Sequence, residues 1–166
     1  MLKKYSYFAV LLAVAALSSC SKTTEVGDIY RQDGIEGIVL HVDTLGVPTH
    51  LLSIEEAVDL DQDSAIVWAA SLNGTSGNHQ WVLPDSEQMQ LLASHKSELN
   101  ASLSQRGESS VLANGTWYWT SSRCENSFCP TSPVTHGWAY GPDGLRTYFK
   151  ENHSPRYRAR AVMVLE

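Results

Sequence analysis

The sequence is short of cysteine, short of basic charge and, past its opening stretch, short of long apolar runs. Its 166 residues hold 3 cysteines, which are Cys20, Cys124 and Cys129. A zinc centre needs cysteine and histidine ligands at a recognisable spacing. The histidine nearest to the Cys124/Cys129 pair in sequence is His136, and it has no second histidine three to five residues on. Zinc is therefore not expected. His41, His50, His79, His95, His136 and His153 are scattered, with no H-x-x-x-H or H-E-x-x-H spacing. No G-x-S-x-G nucleophile elbow occurs. No cofactor is implied by any of these patterns. The chain also lacks internal repeats and low-complexity tracts.

Basic residues number 12 against 18 acidic ones. Setting aside Lys3 and Lys4 of the leader described next leaves ten against eighteen, a net charge of −8. Such a surface repels phosphate backbones, so nucleic acid is excluded as a partner.

The first twenty residues read MLKKYSYFAVLLAVAALSSC. Lys3 and Lys4 form a short basic region, and Phe8 to Leu17 form an apolar stretch of signal-peptide length. That stretch is shorter than the about 20 apolar residues a membrane-spanning helix needs. The closing Leu17-Ser18-Ser19-Cys20 goes beyond an ordinary secretory cleavage site, which requires no cysteine. It resembles the bacterial lipobox, which implies cleavage before Cys20 and lipid, such as palmitate, on that residue. Acyl chains contribute about 0.8 kcal/mol per buried methylene, and several on one residue hold stably. The expected organisation is a lipoprotein signal at 1–19, a polar tether at 20–28 and one folded domain at 29–166. The expected address is the cell envelope, at the outer membrane, with the lipid as the membrane contact.

Within the domain, Ile35 to Val42 reads as a strand. Asp43 to Pro48 reads as a turn, and His50 to Ile54 as the returning strand. Glu55-Glu56-Ala57 is expected to begin a helical turn or a loop, and Ser71 to His79 to form a surface loop. The clearest helix signal starts at Pro84-Asp85 or Ser86, with Glu87 in the first turn. Met89, Leu92, Leu99 and Leu103 lie close to one helical face, with Leu91 beside them. Gly107 is the expected stop, with a break near Asn100. Thr116 to Ser121, Gly137 to Tyr140 and Leu145 to Lys150 read as strands, the last two flanking the turn Gly141-Pro142-Asp143-Gly144. Arg156 to Leu165 reads as one closing strand. Hairpin, helices, then short strands gives an α+β class.

WVLPDSEQMQLL, from Trp81, resembles the W-x-L-P-[ST]-x-x-E box of small bacterial C-type-lectin-like domains. Tyr118-Trp119-Thr120-Ser121 and Arg158-Ala159-Arg160-Ala161-Val162 are similar to the later Y-W-S-S strand and the arginine-bearing final strand of that family. Trp68-Ala69-Ala70 also fits. Val82 stands where the family often has arginine, and Asp85 where serine or threonine is usual. The resemblance implies a C-type-lectin-like fold from about Ile29 onward, shared with formylglycine-generating enzymes and the variable proteins of diversity-generating retroelements. It fixes no activity.

The same resemblance directs attention to the later strands, where this fold displays its binding face. Trp138, Tyr140, Tyr148 and Arg146 are the candidate ligand residues, because rings stack and polar groups orient a sugar or peptide. Trp81, Trp117, Tyr118 and Trp119 are expected in the core. The E-P-N, Q-P-D and W-N-D motifs of calcium-dependent lectins do not occur. Asp59, Asp61 and Asp63 lack the glycine and terminal glutamate of a calcium loop, and read as a solvated acidic turn.

Cys124 and Cys129 are expected to form a local disulfide in an oxidising compartment. Cys124-Glu125-Asn126-Ser127-Phe128-Cys129 is also similar to the copper-holding pair of formylglycine-generating enzymes. The arginine-rich stretch that follows that pair is missing, and the chain is about half the usual length. Asp43-Thr44-Leu45 and Asp63-Ser64-Ala65 resemble the acceptor triplet of bacterial periplasmic O-glycosylation. The expectation is a lipid-anchored, non-enzymatic binding module with a protein or glycan ligand. The alternatives are a cysteine-pair oxidoreductase and a structural subunit of a surface assembly.

Overall fold

The computed structural model describes residues 23–74, 79–107, 112–113, 115–122, 136–141, 144–149 and 156–165. Cys20, Cys124 and Cys129 lie outside the described residues, as do the leader and Pro142-Asp143. For 136–141 and 144–149 the description is of the backbone and its pairing.

The chain is α+β. Strands β1 (Ile29–Gln32), β2 (Ile35–Val42), β3 (Pro48–Leu52) and β9 (Val162–Val164) form one antiparallel sheet in the order β1-β2-β3-β9. Strands β4 (Ala57–Leu60), β5 (Tyr118–Trp119), β6 (His136–Gly141), β7 (Gly144–Phe149) and β8 (Tyr157–Ala159) form the second, in the order β4-β8-β5-β6-β7. Its pairs are antiparallel except β5 with β8, which run parallel. Helices α1 (Gln62–Ser71), α2 (Ser86–Ser94) and α3 (Lys96–Ser104) complete the described elements.

Strand β2 explains the two-sided core. Ile38, Val39 and Leu40 are all fully buried, which is what a continuous apolar run gives when both sheet faces are covered. Val39 joins Leu51, Ala65, Ala69, Trp81, Trp119 and Met163 on the α1 side. Ile38 and Leu40 join Leu52, Met89, Leu92, Leu99, Leu103 and Val162 on the α2/α3 side. Each such aliphatic side chain contributes about 1.5–3 kcal/mol on burial. Of the four core aromatics expected, Trp81, Tyr118 and Trp119 are buried. Trp117 is half-buried against the same cluster.

Asp85 caps α2 through a reciprocal pair of hydrogen bonds. Its carboxylate accepts from the Gln88 backbone N–H, while the Gln88 side chain accepts from the Asp85 N–H. Aspartate caps a helix as well as serine does, and the reciprocal pair satisfies two otherwise unpaired donors. The expected helix interruption falls at His95, not at Asn100. Asn100 stays helical and its side-chain oxygen accepts from Leu112 N–H at 2.7 Å.

Glu55 and Glu56 take the loop form of the two expected, and Ala57 opens β4. Two other expectations are corrected. The acidic stretch opens α1: Asp61 caps it by accepting from Ser64 N–H, and Asp63 lies in its first turn. That backbone hydrogen bond holds the Asp61 carboxyl below its ordinary value. The closing strand is divided into β8 and β9, because the chain changes sheets at Arg160-Ala161. Its partner changes sheets at the same level, between β3 and β4. Ser53 joins the two crossings, donating its N–H to Ala161 O and accepting from Ala161 N–H through Oγ, each at 2.9 Å.

The expected tether also has a docked part. Gly27 N–H donates to Val39 O at 2.8 Å, and Val39 N–H donates to Asp28 O at 2.9 Å. Ser102 Oγ donates to Gly27 O, and Val26 packs against the α2/α3 core.

Candidate functional site

The candidate ligand residues stand on the outer hairpin of the five-stranded sheet. In that ladder Trp138 pairs with Thr147, Ala139 with Arg146, Tyr140 with Leu145 and Gly137 with Tyr148. Inward, Tyr118 pairs with Tyr140 and Trp119 with Ala139. Successive strand positions alternate between sheet faces. The register therefore puts the positions of Trp138 and Tyr140 on the Tyr118 side. It puts those of Arg146 and Tyr148 on the Trp119 side. Among the described strands of this sheet, β7 lies at one edge and β4 at the other. Cys124 and Cys129 belong to the segment between β5 and β6, outside the described residues.

A charged cluster lies where the hairpin joins the rest of the fold. Glu56, whose side chain is 4% exposed, immediately precedes β4. Its Oε1 accepts from Tyr118 Oη at 2.7 Å, and its Oε2 accepts from Arg158 Nη1 at 2.6 Å. Arg160 Nε is 3.7 Å from Oε1. Arg160 is fully buried, and its Nη1 donates to the carbonyls of Ser53 and Ile54 at 3.0 and 2.9 Å. The Tyr118 oxygen also accepts from Ala113 N–H at 2.9 Å. One carboxylate thus ties β4, β5 and β8 together at the point where the ribbon passes between sheets.

The electrostatics follow from burial. Withdrawal from water raises the Tyr118 phenol above its ordinary value, and the hydrogen bond and charge of Glu56 raise it further. Burial lowers the Arg160 guanidinium from its usual value, while Glu56 opposes that shift. A charge in such a place is tolerable only when paired and hydrogen-bonded. The cluster has the chemistry of a fastening: its acid accepts from two donors and pairs with the Arg160 guanidinium, which grips backbone carbonyls.

Neighbouring contacts extend the same platform. Trp119 Nε1 donates to Leu60 O at 2.7 Å, and buried Gln62 donates through Nε2 to Thr120 O at 2.8 Å. The Tyr157 ring lies 5.0 Å from that of Trp119 and 6.1 Å from that of Trp117. Arg156 pairs with Asp59 at 2.9 Å. Of the three aspartates of the acidic stretch, Asp59 holds a strand end while Asp61 and Asp63 serve α1. Among the described residues, no group of three or more histidine, cysteine or carboxylate side chains is placed to hold a metal ion.

Sequence reasoning missed Glu56, and it took Tyr118 for core without its polar partner. The available signal was the alternation of Arg156, Arg158 and Arg160 near the apolar end of the chain, since a guanidinium drawn into a core needs an acid or carbonyls as partners. No family model matches the chain, and no curated protein matches it.

Proposed function

We propose that this chain is a C-type-lectin-like binding module, lipid-anchored through Cys20 in the cell envelope at the outer membrane. It captures a protein or glycan ligand without catalysing a reaction. The observation that supports this reading most is the attachment of the β6–β7 hairpin to a buried, hydrogen-bonded base. Binding constellations work best when rigid elements hold them, and the Glu56 cluster supplies that rigidity beside the β5–β6 pairing. Because β7 is an edge strand among those described, a ligand reaches the Trp138/Tyr140 and Arg146/Tyr148 positions around that edge. The titratable groups of the base are occupied in holding strands together, which favours display over chemistry.

The test uses the full chain with its leader. Membrane fractionation and acyl labelling compare the parent with Cys20→Ala, and a glycan and peptide array is probed with both. The expectation is loss of acyl label and membrane association in the variant, with array binding retained. Trp138→Ala is then expected to weaken array binding about tenfold or more, since aromatic hot spots cost about 2 kcal/mol or more on truncation. Unchanged binding on replacing Trp138, Tyr140, Arg146 and Tyr148 refutes the assigned surface. Two reactive thiols at Cys124 and Cys129 with stoichiometric copper(I) uptake would instead favour the oxidoreductase alternative.

A further inference from the structure

Two triplets in the sequence carry the Asp-Thr/Ser-small or aliphatic pattern of a glycan acceptor, and the fold treats them very differently. Asp63-Ser64-Ala65 is in the first turn of α1. Ala65 is fully buried, and the Ser64 N–H is committed to the Asp61 cap at 2.8 Å. A transferase could reach the third residue of that triplet only by unwinding the helix from the core.

Asp43-Thr44-Leu45 occupies the tip of the β2–β3 hairpin. Asp43 Oδ1 accepts from the N–H groups of Leu45 and Val47, both at 2.8 Å. Asp43 N–H donates to Val47 O at 2.9 Å, and Gly46 N–H donates to Asp43 O at 3.0 Å. Gly46 takes φ +78°, a value glycine adopts without strain. These bonds fix a tight turn with Thr44 exposed at its apex. Leu45 is 82% exposed, more than any other large apolar residue described. Its side chain belongs to neither core cluster of the described residues. A Cβ built on Gly46 would stand 4.0 Å from the Thr24 carbonyl oxygen, so the tip adjoins the segment that leads back to Cys20.

We infer that Thr44 is an O-glycosylation acceptor in the exported protein, with Asp43 and Leu45 as the flanking determinants, and that Ser64 is not one. In the transfer, Thr44 Oγ1 attacks the anomeric carbon of a polyprenyl-diphosphate-linked glycan. The new C–O bond forms as the anomeric carbon–diphosphate bond breaks, the diphosphate leaves on its lipid, and the hydroxyl proton passes to a base of the transferase. A membrane-borne donor suits an acceptor that sits next to the tether. The inference rests on the envelope reading above, since the donor and transferase work outside the cytoplasm.

The test isolates the protein from whole cells of its own bacterium and maps intact glycopeptides by mass spectrometry. Acyl labelling at Cys20 is read on the same preparation. The expected result is a glycan on the peptide carrying Thr44, lost in Thr44→Ala and retained in Ser64→Ala. Leu45→Asp, at a site the fold leaves in solvent, is expected to reduce occupancy at least tenfold while the melting temperature stays unchanged. Asp43→Asn keeps an oxygen for the turn but removes the carboxylate, and is also expected to lose the glycan. Acylated protein with an unmodified Thr44, or with its glycan on Ser64, overturns the assignment and leaves the envelope reading intact. Protein neither acylated nor glycosylated overturns both.

Discussion

Replacing Glu56 with glutamine tests the fastening at the base of the hairpin. The variant keeps the shape of the side chain and one oxygen acceptor for Tyr118, but removes the charge opposite Arg158 and Arg160. Breaking a buried ion pair by removing one partner costs about 3–5 kcal/mol. Arg158 is 36% exposed against 1% for Arg160, so the Arg158 share is screened towards the roughly 0–1 kcal/mol of a surface pair. The low end, about 3 kcal/mol, is therefore expected for Glu56→Gln, and about 1 kcal/mol for Arg158→Ala. With a urea m-value of about 1–3 kcal/mol/M, the midpoint of Glu56→Gln falls by about 1–3 M. Alkaline titration by ultraviolet difference absorbance gives a second readout. Burial keeps the Tyr118 phenol high in both proteins, but without the Glu56 charge it ionises at lower pH than in the parent. A Glu56→Gln loss below about 1 kcal/mol, or an unmoved phenol titration, refutes the role given to the carboxylate.

Two further outcomes are expected. Gly37→Ala places a methyl group 3.0 Å from the Trp81 ring, 3.1 Å from the Leu52 carbonyl oxygen and 3.3 Å from Leu51 Cβ; overpacking of this kind costs about 1–3 kcal/mol in urea unfolding, and an unchanged midpoint would show that Trp81 can shift. His50 is held below its ordinary value by burial and by His41, with Asp85 opposing, so the unfolded chain binds the proton first. Its contribution to stability is full above the unfolded histidine value and is lost as pH falls through that value towards the lower folded one. Urea midpoints between pH 7.5 and 5 are expected to drop on acidification, and His50→Gln is expected to flatten the slope; an unaltered slope refutes the assignment.

Much of the first sheet was legible because its signals are local. The run Ile38-Val39-Leu40, the turn beginning at Asp43 and the capped start at Asp85 each depend on a few neighbouring residues. The face formed by Met89, Leu92, Leu99 and Leu103 survives a break between α2 and α3, because all four still point at the same core. Helix α1 was not legible, for a physical reason. Residues 65–69 are apolar without helical periodicity, and the fold buries the small Ala65 and Ala69 while leaving Val67 70% exposed. The acidic residues ahead of it looked like a solvated turn because an aspartate cap and a loop aspartate have the same local sequence. The split of the last strand was hidden too: whether Arg160 ends one strand or continues it depends on Ser53, Ile54 and Glu56, about a hundred positions earlier. As for the candidate site, the two strands that carry Trp138, Tyr140, Arg146 and Tyr148 were legible as a hairpin, but not the network beneath it, which exists only once β4, β5 and β8 are adjacent.

That dependence bears on how the two sheets act as one body. The ribbon of β3–β4 and β8–β9 passes from the first sheet to the second, and a crossing of two strands exposes backbone groups that neither ladder pairs. Leaving such groups buried and unsatisfied costs about 1–3 kcal/mol each. Ser53 and Arg160 answer this directly: a hydroxyl caps the Ala161 N–H, and a guanidinium takes the Ser53 and Ile54 carbonyls. A lysine in place of Arg160 would offer a compact ammonium without the planar fork, and could not serve those carbonyls and Glu56 in the same geometry. The arginine is thus required by the crossing itself, and the Glu56 carboxylate by the arginine. Tyr118, held by that carboxylate, lies in β5 opposite Tyr140 of β6. The path from the sheet crossing to the hairpin runs through the Arg160 hydrogen bonds to Ser53 and Ile54, the 3.7 Å ion pair of Arg160 with Glu56 and the Glu56–Tyr118 hydrogen bond, so the strands beneath the hairpin are held by residues other than the candidate ligand residues.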